Sequence, residues 1–397
     1  MDRKLFSCFV SCCVALFGVL CLTGDLFAGK QDLTLEQGGS VIATTVPASL
    51  QEAAGRGDET GLRKLLRQGA AADSRDENGE TALLRAAKNG HVGSVAALLE
   101  AGAAVDGADD AGTTALLLAV EAGHVEVVRL LLDHGAAVNP TVAHIAPPLF
   151  LAVARGRMEV VRLLLARRAD IRVRFAGGLT VLHVAVQSGD AAMATLLLDH
   201  GAEIDAANVA GVTPLMNAAA GGHEDLIRLL LERGGRVNGR SRTGWSPVLY
   251  AVAAGHHDAV LLLQRSGAAI DAPDRRGVTP LMLAVARGMT QTVELLLGLG
   301  ADANRRDERG FSALMGAAWN GRAEIVDRLL ARGALVDARD KGGMTALMWA
   351  AQQGRRESIS RLLAAGADPA LRDDEGLIAS DHAERHGHGD VAKMTNP

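Results

Sequence analysis

Between Gly211 and Gly235 the apolar positions come in two bursts, each closed by glycine. Leu215, Ala218 and Ala219 recur at helical spacing, and Leu226, Ile227, Leu229, Leu230 and Leu231 form a second, broader apolar face. Thr213 suits the N-cap of the first predicted helix, and Pro214 suits its first position, where no backbone N–H is needed. Gly222 and Gly234 end the two helices, because glycine enters the left-handed conformation at little cost. Neither helix is long enough to persist alone, so the unit requires neighbours to cover its apolar faces.

The neighbours follow at an unbroken interval of 33 residues. The cap position falls at Thr81, Thr114, Pro147, Thr180, Thr213, Ser246, Thr279, Ser312 and Thr345; one step back reaches Ala48 and one step forward Ile378. The mid-unit glycine holds in all eleven copies, from Gly57 through Gly222 to Gly387. The turns between helix pairs open on Asp76, Asp109, Asp274, Asp307, Asp340 and Asp373, whose side chains can fold back onto their own backbone. This pattern predicts an all-α solenoid of stacked helix-turn-helix units joined by short hairpin turns.

The segments GVTPLMNAA, GVTPLMLAV, GGLTVLHVA and GMTALMWAA, with Gly-His pairs such as Gly222-His223 and closing Gly-Ala pairs, resemble the ankyrin repeat. The resemblance covers about residues 46–397. It implies hairpins projecting like fingers, a curved rod with a concave face, and a role in binding another protein. It also implies a histidine in the first helix. Only His183 keeps it, while Met216, Met282, Met315 and Met348, with Leu84, Leu117, Leu249 and Phe150, stand in its place. The imidazole's local hydrogen bond is therefore not expected in those units.

The N-terminus departs from the repeat. Arg3 and Lys4 precede an apolar run from Leu5 to Leu22, and Leu26-Phe27-Ala28 precedes Gly29. These are the three parts of a secretory signal peptide spanning 1–28, with cleavage after Ala28 and a periplasmic or secreted destination. An uncleaved N-terminal membrane anchor is the alternative, since the run is long enough to span if tilted. A lipid anchor on Cys21 fits poorly, because Leu20 stands where a small residue is expected. All four cysteines, Cys8, Cys12, Cys13 and Cys21, lie in this segment. An exported chain would thus hold no disulfide and no thiolate site. Residues 29–45 read as a polar linker, 46–75 as an N-terminal capping repeat, 76–372 as nine repeats, and 373–397 as a partial C-terminal capping repeat.

Composition narrows the chemistry. Aromatic residues are only 3% of a chain that is 48% hydrophobic, which suits close stacking through Ala and Leu. A net charge of −5 argues against general nucleic-acid binding. His183 sits in TVLHVA, where the resemblance implies a structural role rather than a catalytic one. His382 and His386, with His388 and Asp390, have a metal-like spacing, but His388 belongs to the periodic Gly-His pair. The carboxylate pairs Asp109-Asp110 and Asp373-Asp374 lie in turns and read as solvated. No enzyme activity, metal, cofactor, small-molecule substrate or membrane contact after cleavage is expected. A monomer with a protein partner is.

The aromatics past the signal segment point to where that partner sits. Trp245 and Phe311 precede the capping serine; Tyr250 and Trp349 share a register that elsewhere holds Arg85, Asn217 and His382; Trp319 shares one with Lys88 and Gln352. Registers that accept such residues are not core, and in the ankyrin family they line the concave side. Trp245, Tyr250, Phe311, Trp319 and Trp349 are thus the candidate partner-binding residues, expected not to hold the stack together. The competing reading is that they fill grooves between units, Trp349 lying against Trp319. A second candidate patch is the apolar fingertip of Val142, Ile145, Phe175 and Leu179, where the turn rule breaks and Arg168 replaces a helix-ending glycine. The function implied is an exported interaction scaffold that regulates or stabilises its partner. The alternatives are a secreted effector acting on a host protein and a structural spacer.

Overall fold

The computed structural model describes residues 49–140 and 145–397. The signal segment, the 29–45 linker, the first residues of the N-terminal repeat, all four cysteines and Val142 lie outside the described residues. Twenty-two helices of six to nine residues follow one another in eleven pairs among the described residues. The first helix of each pair packs on the first helix of the next, which makes one layer; the second helices make the other. The fold is the all-α solenoid that the period predicts. No helix among the described residues is long and apolar enough to cross a membrane.

The first-helix layer is built from small residues. Ala218, Ala219, Ala251 and Val252 are fully buried, so neighbouring helices approach closely. Leu226, Ile227 and Leu230 fill the second layer. Side-chain hydroxyls cap eight first helices among the described residues, seven of them at the periodic position: Thr81, Thr114, Thr180, Ser246, Thr279, Ser312 and Thr345. In the first unit the cap is Ser49, one residue past the periodic position of Ala48: serine offers an acceptor for the Glu52 N–H and alanine offers none.

The mid-unit glycines all take positive φ, from +64° at Gly156 and Gly354 to +88° at Gly123. A second constraint acts on five of them, Gly57, Gly90, Gly189, Gly222 and Gly354. The Gly-His histidine of the following unit lies across the glycine, and its Nε2 reaches a helix-end carbonyl: His91 to Gly55 O at 3.0 Å and His124 to Lys88 O at 3.1 Å. Arginine replaces it in three units, where Arg157 donates to Glu121 O at 3.3 Å and Arg355 to Trp319 O at 3.0 Å. The recurring histidine is an inter-unit clamp.

Two further ladders join the units. After each second helix an Asp or Asn accepts the N–H of a residue 31 positions on, as Asp73 does from Ala104, Asn238 from Ala269 and Asn304 from Leu335. At Arg172 the acceptor is missing. The hairpin tips form the other ladder: Val209 N–H donates to Gly177 O, Arg242 to Ala210 O, Arg275 to Thr243 O, Glu308 to Arg276 O, Lys341 to Arg309 O and Asp374 to Gly342 O. The turns themselves close as expected, Asp274 Oδ1 accepting from Arg276 and Val278 N–H, and Asp307 Oδ1 from Arg309 and Phe311 N–H.

Candidate partner-binding face

The five candidate aromatics fall into two groups. Trp245 and Tyr250 meet edge to face within one unit, centroids 5.2 Å apart. Phe311, Trp319 and Trp349 form a triad across two units: Trp319 stacks on Trp349 at 4.7 Å and 23°, and Phe311 meets both edgewise at 6.3 and 5.7 Å. All five are half-buried. The expectation that these registers do not hold the stack together is corrected for the triad: its rings join two consecutive units, and their outer edges remain accessible.

The register shared by Tyr250 and Trp349 has a use that residue types alone concealed. A donor there reaches back nine residues to the side chain that opens its own turn. Arg85 Nη2 donates to Asp76 Oδ2 at 2.5 Å, Trp349 Nε1 to Asp340 Oδ2 at 3.0 Å, and His382 Nε2 lies 2.8 Å from Asp373 Oδ2. Tyr250 faces Ser241 in the same way; burial pushes its phenol pKa up, and the Ser241 contact opposes that. The signal was present in the sequence as a donor nine residues after a turn acceptor. Asp373, read as solvated, is buried. Burial raises its carboxyl pKa, but the Leu377 N–H, the His382 side chain and the Glu375 N–H outweigh that and hold it below the usual carboxylate range. His382 is buried against this carboxylate, and the His386 ring turns to its own helix, Nδ1 facing His382 O at 2.9 Å.

His183 is fully buried. Its Nδ1 accepts the Thr180 N–H at 3.2 Å, so Nε2 carries the proton and donates to Val212 O at 3.0 Å. Where methionine replaces it, the sulfur takes over the first bond, Sδ of Met216, Met315 and Met348 accepting the cap residue's N–H at 3.4–3.5 Å. Burial lowers the His183 pKa, with Val212 opposing and Arg174 adding to the shift. The unfolded chain therefore takes up this proton first. Stability is full above about pH 6.5 and falls as the pH drops below it, at no more than about 1.4 kcal/mol per unit for one proton. Urea midpoints from pH 8 to pH 5 should decline less in His183→Met than in the wild type. Parallel declines would rule this linkage out.

The fingertip patch is only partly assembled. Phe175 pairs with Leu179 in a two-residue antiparallel ladder and packs edge to face on the buried Phe150 at 5.3 Å. Ile145, Phe175 and Leu179 are half-buried. Much of the patch thus packs one unit on the next. Its most exposed apolar neighbour is Val209, 58% exposed on the following tip, which the residue pattern did not single out. Among the described residues no group of His, Cys, Asp and Glu could hold a metal ion.

Comparison with known proteins returned three findings. A family model for ankyrin repeats (3 copies) matches residues 50–142, 146–208, 206–274, 258–340, 281–373 and 314–394. The crystal structure of the human ASB11 ankyrin repeat domain is 32% identical, with a TM-score of 0.51, over 56% of this chain and 99% of that one. No curated protein matches the chain.

Proposed function

Since the chain belongs to the ankyrin repeat family, whose repeats generally serve as protein–protein interaction modules, we propose that it is an exported, non-enzymatic scaffold. It binds a protein partner on the face carrying Trp245, Tyr250, Phe311, Trp319 and Trp349, and regulates or stabilises that partner. The observation that carries this reading is the concentration of half-buried aromatics in the units from Trp245 to Trp349, while Phe150 and Phe175 are the only others past the N-terminal segment. Accessible ring edges on a rigid support are favoured interface anchors, because little conformational freedom is lost on docking. Export rests on the charged start, the apolar run and Leu26-Phe27-Ala28.

The test uses the full chain with a C-terminal tag, recovered from envelope and medium fractions. A mature N-terminus at Gly29 is expected, and an intact Met1 in membranes would replace export with anchoring. Trp245 touches only Tyr250 among the other rings, so Trp245→Ala should weaken the captured partner's binding at least about tenfold with little change in melting midpoint. Unaltered affinity would shift the search to Phe175, Leu179 and Val209.

A further inference from the structure

The hairpin tips differ in charge along the tied row. Glu77 and Asp110 occupy early tips, and Val209 and Ala210 a middle one. The next four tips carry Arg242, Arg275 with Arg276, Arg309, and Lys341, all exposed, against one exposed carboxylate, Glu308. The row then returns to acid at Asp374 and Glu375. The other carboxylates of these four turns are mostly engaged. Asp274 and Asp307 have side chains only 4% and 8% exposed, hold backbone N–H groups and pair with Arg276 at 3.7 Å and Arg309 at 3.4 Å. Asp340 holds Gly342, Met344 and Trp349, which leaves Arg242, Arg275 and Lys341 as the tip cations without an ion pair among the described residues.

This cationic block spans the same units as the aromatic groups. Trp245 and Phe311 each follow their tip's closing glycine directly. Arg309 joins the two features: its guanidinium lies 5.6 Å from the centroid of the Phe311 ring. The backbone ladder between tips fixes the spacing of the charges.

We propose that this stripe of Arg242, Arg275, Arg276, Arg309 and Lys341 beside the aromatic groups binds an extended acidic segment of the protein partner. The assignment rests on the binding face proposed above and adds the chemistry of what it takes. Packed helices repeat at about 10 Å, and one three-residue turn of a polyproline II peptide spans about 9 Å and returns every third side chain to the same face. A peptide with a carboxylate at every third position therefore stays in step with the tips, and its intervening apolar residues meet the aromatic edges. A duplex strand places a phosphate about every 3.4 Å, so two of every three would meet no cation, and the chain's net charge of −5 opposes it further. Glu308 also opposes a continuous polyanion and leaves room for discrete carboxylates.

The probe is a synthetic peptide about twelve residues long, which spans four tips at three residues each. It carries Glu at every third position and Leu or Thr between. Tryptophan fluorescence of the full chain reports its binding. We expect saturable binding that weakens at raised salt, is at least about tenfold weaker for a scrambled peptide of the same composition, and falls by a similar factor in Arg242→Glu/Arg275→Glu/Lys341→Glu. These three side chains have no hydrogen-bond or ion-pair partner among the described residues, so circular dichroism of that variant should be unchanged. No peptide binding, or equal binding by the variant or the scrambled peptide, overturns the assignment. A single-stranded oligonucleotide of equal length that binds tighter than the peptide overturns it in favour of nucleic acid. If the captured partner is lost from Trp245→Ala but kept by the triple variant, the binding face stands and the acidic assignment falls.

Discussion

Replacing Gly222 with valine is expected to destabilise the central repeats by more than about 2 kcal/mol. Two costs add. The residue sits at φ +67°, where a side chain with a Cβ is strained by about 1–2 kcal/mol. A Cβ there would also lie 2.6 Å from Nδ1 of His256, whose ring belongs to the next unit, and forcing such a contact costs about 1–3 kcal/mol. The two can be separated. Gly234 has φ +90° with nothing within 4 Å of a built Cβ, so Gly234→Ala measures strain alone. Gly222→Ala should cost more, and adding His256→Ala should recover part of the difference. Urea unfolding of the four proteins decides it. Equal midpoints for Gly222→Ala and Gly234→Ala would mean that the ring contributes nothing.

Trp349→Ala should lower the unfolding free energy by about 2–3 kcal/mol, less than the 3–5 of a fully buried tryptophan because the ring is only half-buried. It removes the stack on Trp319, the edge contact with Phe311 and the donor to Asp340. Trp245→Ala loses one contact within a single unit and should cost clearly less. Trp349→Phe keeps an aromatic ring and gives up the hydrogen bond, worth about 1 kcal/mol. Thermal melts of the three variants rank them. Indistinguishable midpoints for Trp349→Ala and Trp245→Ala would show that the triad does not couple its two units.

The fold was legible because one backbone bend recurs at a fixed interval, and few arrangements satisfy so many identical stops. Gly222, the cap row and the turn-opening Asp274 and Asp307 each carry a conformational demand that residue type alone expresses. Contacts between units were less legible. His256 reads as a turn residue until the next unit places it on Gly222, and the acceptor role of Asn238 depends on an N–H that lies 31 residues away. The aromatic registers were read by the company they keep. Arg85 and His382 in the Tyr250 register looked like solvated positions, yet each bonds a turn carboxylate. Polar residue type does not mark exposure where a partner lies nine residues back. Met216 could not be read as a substitute for His183, because a sulfur acceptor matches the imidazole in position rather than in type.

The missing acceptor at Arg172 lies close to the only two non-glycine residues of positive φ among the described residues, Arg168 at +63° and Ala176 at +31°. Coupling in a stacked array is the sum of its joints, and this joint lacks a rung that its neighbours have. The joint is still crossed by the bonds from Val209 N–H to Gly177 O and from Arg174 to Ala207 O. If that missing rung weakens the coupling, native-state hydrogen exchange should show the amides beside Arg172 opening before those of the units from Trp245 to Trp349, and uniform protection would mean that the tip bonds compensate.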